Sequence, residues 1–314
     1  MSDKIINLGT RTTPQGEQYP VALKASALTT HATIVGATGS GKSGLIIGMI
    51  EEMVRLGVPT FVCDIKGDIA NIAIQPEDSE VRQKMAIRFL TPGGSHGEAV
   101  NIFSGIENPD RITSTVTTIF KLMNTKADVA STQHAFLSRI IQERLRARKP
   151  CTIVDVLNDV ADPPFEYLGI LPLEEVFPKQ SRGKLAAKLN NLLAAPSFQA
   201  WREGVAINIP QLLKCESGRI PVVVYSVAHL VDDAERNFAI SMFLEEMLSW
   251  MRTLPGTKDL KTCLLMDEMY GVMPPHPANP PTKRPLLTML KQARAHGLGV
   301  VICSQNPMDL DYKG

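Results

Sequence analysis

The stretch HATIVGATGSGKSGLIIGMIEEMVRLGVP, residues 31–59, decides the fold. A short apolar strand, 32–35, runs into Gly36-x-x-x-x-Gly41-Lys42-Ser43, and a helical pattern follows that stops at Gly57 and Pro59. Glycines at this spacing let the backbone wrap a phosphate chain closely, with N–H groups and a helix N-terminus facing the anion. The residues predicted to hold a nucleoside triphosphate are Gly36, Ala37, Thr38, Gly39, Ser40, Gly41, Lys42, Ser43 and Gly44. Lys42 should reach the β- and γ-phosphates, and the Ser43 hydroxyl should hold Mg²⁺. A glycine-rich turn that fits by accident is the bland alternative. A strand before and a helix after argue against it.

A second stretch, CLLMDEMYG (263–271), supplies the chemistry that such a loop lacks. Four apolar residues end in two adjacent carboxylates, Asp267 and Glu268. Buried acids are costly unless something cationic or reactive lies beside them. With a phosphate loop upstream, Asp267 is predicted to complete the Mg²⁺ shell, and Glu268 to polarise the attacking water as general base. The Asp-Glu order is typical of RecA-like ATPases with an additional strand. Small-molecule P-loop kinases lack the second acid. The competing reading is a strand leaving the core, with two acids marking its exit.

Further strands are expected at 60–63, 86–90, 221–227, 262–266 and 298–303, each a short continuous apolar run suited to burial on both faces. A helix is expected over about 233–252, opened by an Asp232-x-x-Glu235 cap. Alternation of this kind predicts an α/β fold, a mostly parallel sheet with helices on both faces. The expected organisation is a first half of the core over 1–103, a mostly helical insertion over 104–205 and a second half over 206–314. The glycine-rich segment 91–103 reads as a surface loop. The Pro-rich segment 273–285 reads as a stiff connector that could also line a pore or partner surface.

A helix with Pro285 at its first position should end at Gly297 and feed a strand whose last residues are Ser304, Gln305 and Asn306. Gln305 is placed as a sensor between the γ-phosphate and whatever moves with it. Arg294 in the last helical turn suits the helix dipole, which by itself explains it. It also reads as an arginine finger for the nucleotide of a neighbouring subunit, with Arg284 as a second candidate.

Taken together, GATGSGKS, DIKGD (64–68), LLMDE and KQARAHGLGVVICSQNP resemble the HerA-like ATPases of the HerA/FtsK superfamily, ring-forming motors that translocate on double-stranded DNA. The resemblance covers 21–70 and 221–314 well and the insertion loosely. It implies a RecA-like core, ATP with Mg²⁺, a hexamer, Arg294 as the trans-acting finger, Gln305 as sensor and Asp64 as a polar residue near the site. A nuclease or other effector protein is the implied partner. About thirty residues precede the first strand, too few for the N-terminal β-barrel of HerA, and the chain ends at Gly314 where members ordinarily continue. The sequence thus reads as a truncated chain or an incomplete motor.

Composition narrows the rest. The 314 residues are 44% hydrophobic with a net charge of +1, so DNA contact must come from local patches such as 139–149, with five basic residues against one acid. Such faces are as often simply solvated. Cys63, Cys263 and Cys303 lie in apolar runs and read as reduced core thiols. No signal peptide or membrane-spanning run is found, and a soluble, cytoplasmic protein is expected. An ATP-driven switch for a protein partner, without a DNA track, is the alternative to a motor.

Overall fold

The computed structural model describes residues 4–73, 79–94, 96–101, 109–125, 129–195, 198, 200–202 and 204–311. Ser95, residues 102–108, where the insertion was expected to begin, and Pro196 and Ser197 lie outside them. The strands are β1 (Ile5–Thr12), β2 (Gln18–Lys24), β3 (Ala32–Val35), β4 (Thr60–Asp64), β5 (Met85–Thr91) and β6 (Glu98–Asn101). They continue as β7 (Tyr167–Leu168), β8 (Leu171–Pro172), β9 (Val205–Ala206), β10 (Ile220–Ser226), β11 (Thr257–Met266) and β12 (His296–Ser304). Eight of them form one sheet in the order β3-β12-β11-β4-β10-β5-β6-β9, parallel at every pairing.

The longer helices are α1 (Lys42–Arg55), α2 (Ile112–Leu122), α3 (Thr132–Arg146), α4 (Ile153–Ala161), α5 (Lys179–Ala194), α6 (Asp233–Met251) and α7 (Lys283–Gln292). Successive side chains of a strand point to opposite faces, and the buried residues sort accordingly. Phe61, Val223, Tyr225, Leu264, Met266, Val300 and Ile302 join one core, with α6 and with α2 to α5. Val62, Val222, Val224, Cys263, Leu265, Val301 and Cys303 join a second, with Ile46, Met49, Ile50 and Met53 of α1. Central strands covered on both sides read as continuous apolar runs for this reason.

Local chemistry fixes the helix ends. The Asp232 carboxylate accepts from Glu235 N–H at 2.9 Å, so α6 starts where its cap predicts. Tyr225 stacks on Phe243 of α6 at 4.6 Å between centroids, and its hydroxyl donates to Ala239 O at 3.0 Å. Just before α2, Arg111, buried, pairs with Glu246 of α6 and donates to Met242 O at 3.2 Å. The start of α2 is thereby pinned to α6.

Three expectations are corrected. Residues 98–101, read as loop, form β6. Its four-residue length, with only Val100 fully buried, leaves almost no apolar signature. Residues 5–24, given no element in the sequence, form the antiparallel hairpin β1-β2. Pro285 is the third residue of α7 rather than the first. Its missing N–H is harmless there because the first four N–H groups of a helix have no intrahelical partner. No helix among the described residues is long and apolar enough to cross a membrane.

Candidate nucleotide site

The loop between β3 and α1 adopts the conformation that its glycines were expected to allow. Gly41 caps α1 with φ +90°, the left-handed region that disfavours side chains. A Cβ at Gly36 would meet Ser40 Oγ at 2.4 Å, so the loop closes only around hydrogen. Lys42 turns its ammonium onto the loop's own carbonyls, donating to Gly36 O and, at 2.9 Å, to Ala37 O. The Ser43 hydroxyl donates to Asp68 Oδ2 at 3.2 Å.

Strand order carries the remaining groups to this loop. β12 lies between β3 and β11, with Ser304 opposite Val35 and Ile302 opposite Met266. Gln305 therefore leaves the sheet between the phosphate loop and the acidic pair. Its Oε1 accepts from Thr38 Oγ1 at 2.7 Å, and its Nε2 donates to Glu268 Oε2 at 3.0 Å. Glu268, 5% exposed, also receives the N–H of Met269 at 2.9 Å and of Tyr270 at 3.3 Å on Oε1. The Lys66 ammonium sits 2.6 Å from Oε2. Burial alone would raise the Glu268 carboxyl, but Lys66 first, then Met269 N–H and Gln305, outweigh it and hold its pKa below the ordinary value.

Asp267 has a different surrounding. Met266 pairs with Cys63 across β11 and β4, which sets Asp267 beside Asp64 at the strand ends. Asp267 Oδ1 accepts from Ile65 N–H at 2.8 Å and Oδ2 from Lys66 N–H at 3.3 Å. Asp64 Oδ1 accepts from Gly67 N–H at 2.8 Å, whereas its Oδ2 is buried without a hydrogen-bond partner among the described residues. Burial raises both carboxyls, and the Asp64 charge adds to the rise of Asp267, to about 8.

This geometry fits a divalent cation. An unpartnered buried carboxylate oxygen and two acids pushed toward protonation are the condition that a nearby cation reverses. Among the described residues no cluster of three or more His, Cys, Asp or Glu could hold a metal. Ser43 and Asp267, the residues expected to hold the cation, would do so together with phosphate oxygens and water, a hard oxygen set of the kind magnesium takes.

Lys66 and Asp68 are the site residues that sequence reasoning missed. Both belong to DIKGD, from which only Asp64 had been singled out. Arg294 is not brought to the site. It is exposed at the amino end of β12, while Gln305 leaves the carboxyl end. Nine strand residues at ~3.3 Å each hold them about 30 Å apart. Arg284 is elsewhere again, near Lys121, whose pKa is depressed by burial and then by the Arg284 charge. Arg139, Arg144 and Arg146 of the basic segment are paired with Glu143 or with Asp155 and Asp159.

A parallel sheet with the phosphate loop on one strand, an acidic pair on another and a strand leading to Gln305 between them defines a RecA-like P-loop NTPase core. Residues 6–162, half of the chain, match the family "Helicase HerA, central domain", and the chain belongs to it. No curated protein matches the chain. Among solved structures it is similar to VirB4 of Thermoanaerobacter pseudethanolicus, with 16% identity and a TM-score of 0.65 over 97% of this chain and 77% of that one. It is also similar to the plasmid coupling protein TrwB in complex with the non-hydrolysable GTP analogue GDPNP, with 16% identity and a TM-score of 0.59 over 94% of this chain and 67% of that one. TrwB in complex with ADP and Mg²⁺ gives 17% identity and a TM-score of 0.57, over 94% of this chain and 68% of that one. At these identities the likeness is one of fold.

Proposed function

We propose that the chain is the ATP-hydrolysing core of a HerA-type motor, acting with Mg²⁺ in a ring of copies on double-stranded DNA. The observation that carries this is the continuous relay from Thr38 of the phosphate loop through Gln305 to Glu268. On nucleotide binding Lys42 exchanges the carbonyls of Gly36 and Ala37 for phosphate oxygens. Glu268 accepts a proton from water as the water oxygen bonds to the γ-phosphorus. The bond from that phosphorus to the bridging oxygen breaks, and its electron pair leaves with ADP. A positioned general base contributes ~10²–10⁴ in rate. Mg²⁺, held by Ser43 and Asp267, supplies neutralisation of the phosphate charge. Nucleotide and Mg²⁺ complexes of TrwB support this assignment of cofactor.

Arg294 serves a neighbouring copy on this reading, because it lies at the wrong end of the sheet to serve its own. A second reading, a nucleotide-driven switch for an effector such as a nuclease, draws support from the ion pairs that neutralise much of segment 139–149. Steady-state hydrolysis with and without duplex DNA separates them, with Glu268→Gln as control. Stimulation by DNA supports the motor. Hydrolysis indifferent to DNA makes the switch the better account, and a control as active as the parent removes Glu268 from the mechanism.

A further inference from the structure

The carboxylate of Glu268 has no acceptor position left for water. An ionised carboxylate offers about four lone-pair sites, and four donors fill them. Met269 and Tyr270 N–H are on Oε1, and Gln305 Nε2 and Lys66 Nζ on Oε2. A base so filled cannot take a proton until one donor withdraws.

The donors differ in their freedom to do so. Met269 and Tyr270 are the next residues in the chain and move with the acid itself. Gln305 is tethered at its other end to Thr38 at 2.7 Å. Lys66 alone reaches Glu268 on a long flexible stem, and its side chain is 33% exposed. Its backbone, by contrast, is fixed: Ile65 and Lys66 N–H are held by Asp267 and Gly67 N–H by Asp64. A fixed root with a free arm lets the ammonium leave without disturbing the acids around it. Among the described residues Glu268 is the only group that the ammonium pairs with, so its withdrawal breaks nothing else.

We propose that Lys66 is a latch: it holds Glu268 out of use as a base, and hydrolysis requires its side chain to swing off the carboxylate. Lys66 is thus a positioning residue. The inference rests on the reading of Glu268 as general base.

The test is ATP hydrolysis by the full chain with Mg²⁺ and no DNA, comparing the parent with Lys66→Met, Lys66→Gln and Lys66→Arg. Nucleotide affinity and melting temperature are measured alongside. Lys66→Met should raise kcat about tenfold, part of the ~10²–10⁴ that a freed base contributes, with nucleotide Kd unchanged. Lys66→Arg, which restores the ion pair, should return the parent rate, and Lys66→Gln, a donor without charge, should fall between. The double variant Lys66→Met with Glu268→Gln should be as slow as Glu268→Gln alone. A kcat for Lys66→Met equal to or below the parent's overturns the latch. A parent that binds ATP without turnover does not rescue it, since Lys66→Met must then gain activity. If Glu268→Gln is inactive while Lys66→Met is unchanged, the latch alone falls. If Glu268→Gln turns over at the parent rate, the base and the latch fall together.

Discussion

At the carboxyl ends of β3, β4, β11 and β12, nearly every polar side chain is engaged by another part of the same chain. Thr38, Gln305, Glu268 and Lys66 form one line of contacts, and Ser43 meets Asp68. At the amino ends of β11 and β12, Lys258, Lys291 and Arg294 are exposed around a cavity of about 870 Å³ that Ser26, Thr29 and Thr30 also line. None of these three cations makes an ion pair or side-chain hydrogen bond among the described residues. One end of the sheet has its polar groups engaged within the chain. The other offers charge outward, which suits the role proposed for Arg294 on a second copy.

The largest effect that would break this contrast is at the open end. Arg294→Ala should lower hydrolysis by ~10³-fold or more if it completes a neighbour's site, with unchanged nucleotide affinity. Mixing it with the Lys42→Ala chain should restore part of the activity, since each supplies what the other lacks. An unaltered rate would leave Arg294 as a helix-end cation only.

Next in size, Glu268→Gln should cut kcat by ~10²–10⁴ while ATP still binds, measured by single-turnover hydrolysis. A third test sharpens the engaged end through pH. Asp64 and Asp267 have folded pKa values above the unfolded value of 3.8. The stability they confer is thus fully present below that value and is lost as pH rises, for Asp267 through about 8. Without Mg²⁺ the melting temperature should fall between pH 5 and 8, flanking Cys63 and Glu268 notwithstanding, and Asp64→Asn should flatten the fall. A pH-independent melting curve would contradict the buried pair. Smallest of all, Lys258→Ala should change unfolding stability by no more than about 0.5 kcal/mol, because an exposed side chain without partners has little to lose. Urea titration measures it, and a cost several times larger would mean that the cation is engaged within its own chain.

The parts legible in the sequence were those whose chemistry is local. GATGSGKS declares its function through glycine spacing, and β4, β10, β11 and β12 announce themselves as unbroken apolar runs. Glu98–Asn101 did not, since a four-residue strand behind a glycine-rich loop carries too few buried side chains to show a period. The Asp64–Asp267 pair and the contact of Lys66 with Glu268 depend on β4 lying beside β11. Some 200 residues separate Lys66 from Glu268, and no local pattern encodes that adjacency. Arg294 was legible as a cation at a helix end. Its distance from its own phosphate loop became apparent only with the direction of β12.

The sorting of strand residues into two cores has a consequence for how mutations combine. Val62 and Cys63 are joined by a peptide bond, yet one belongs to the core under α1 and the other to the core under α6. Energetic coupling follows shared packing rather than sequence proximity. Damage at 62 and 63 should therefore add like damage at distant sites, whereas Cys63 and Met266, on separate strands but in one core, should show epistasis. In a deep mutational landscape of this protein, the sheet would appear as a boundary that chain neighbours straddle.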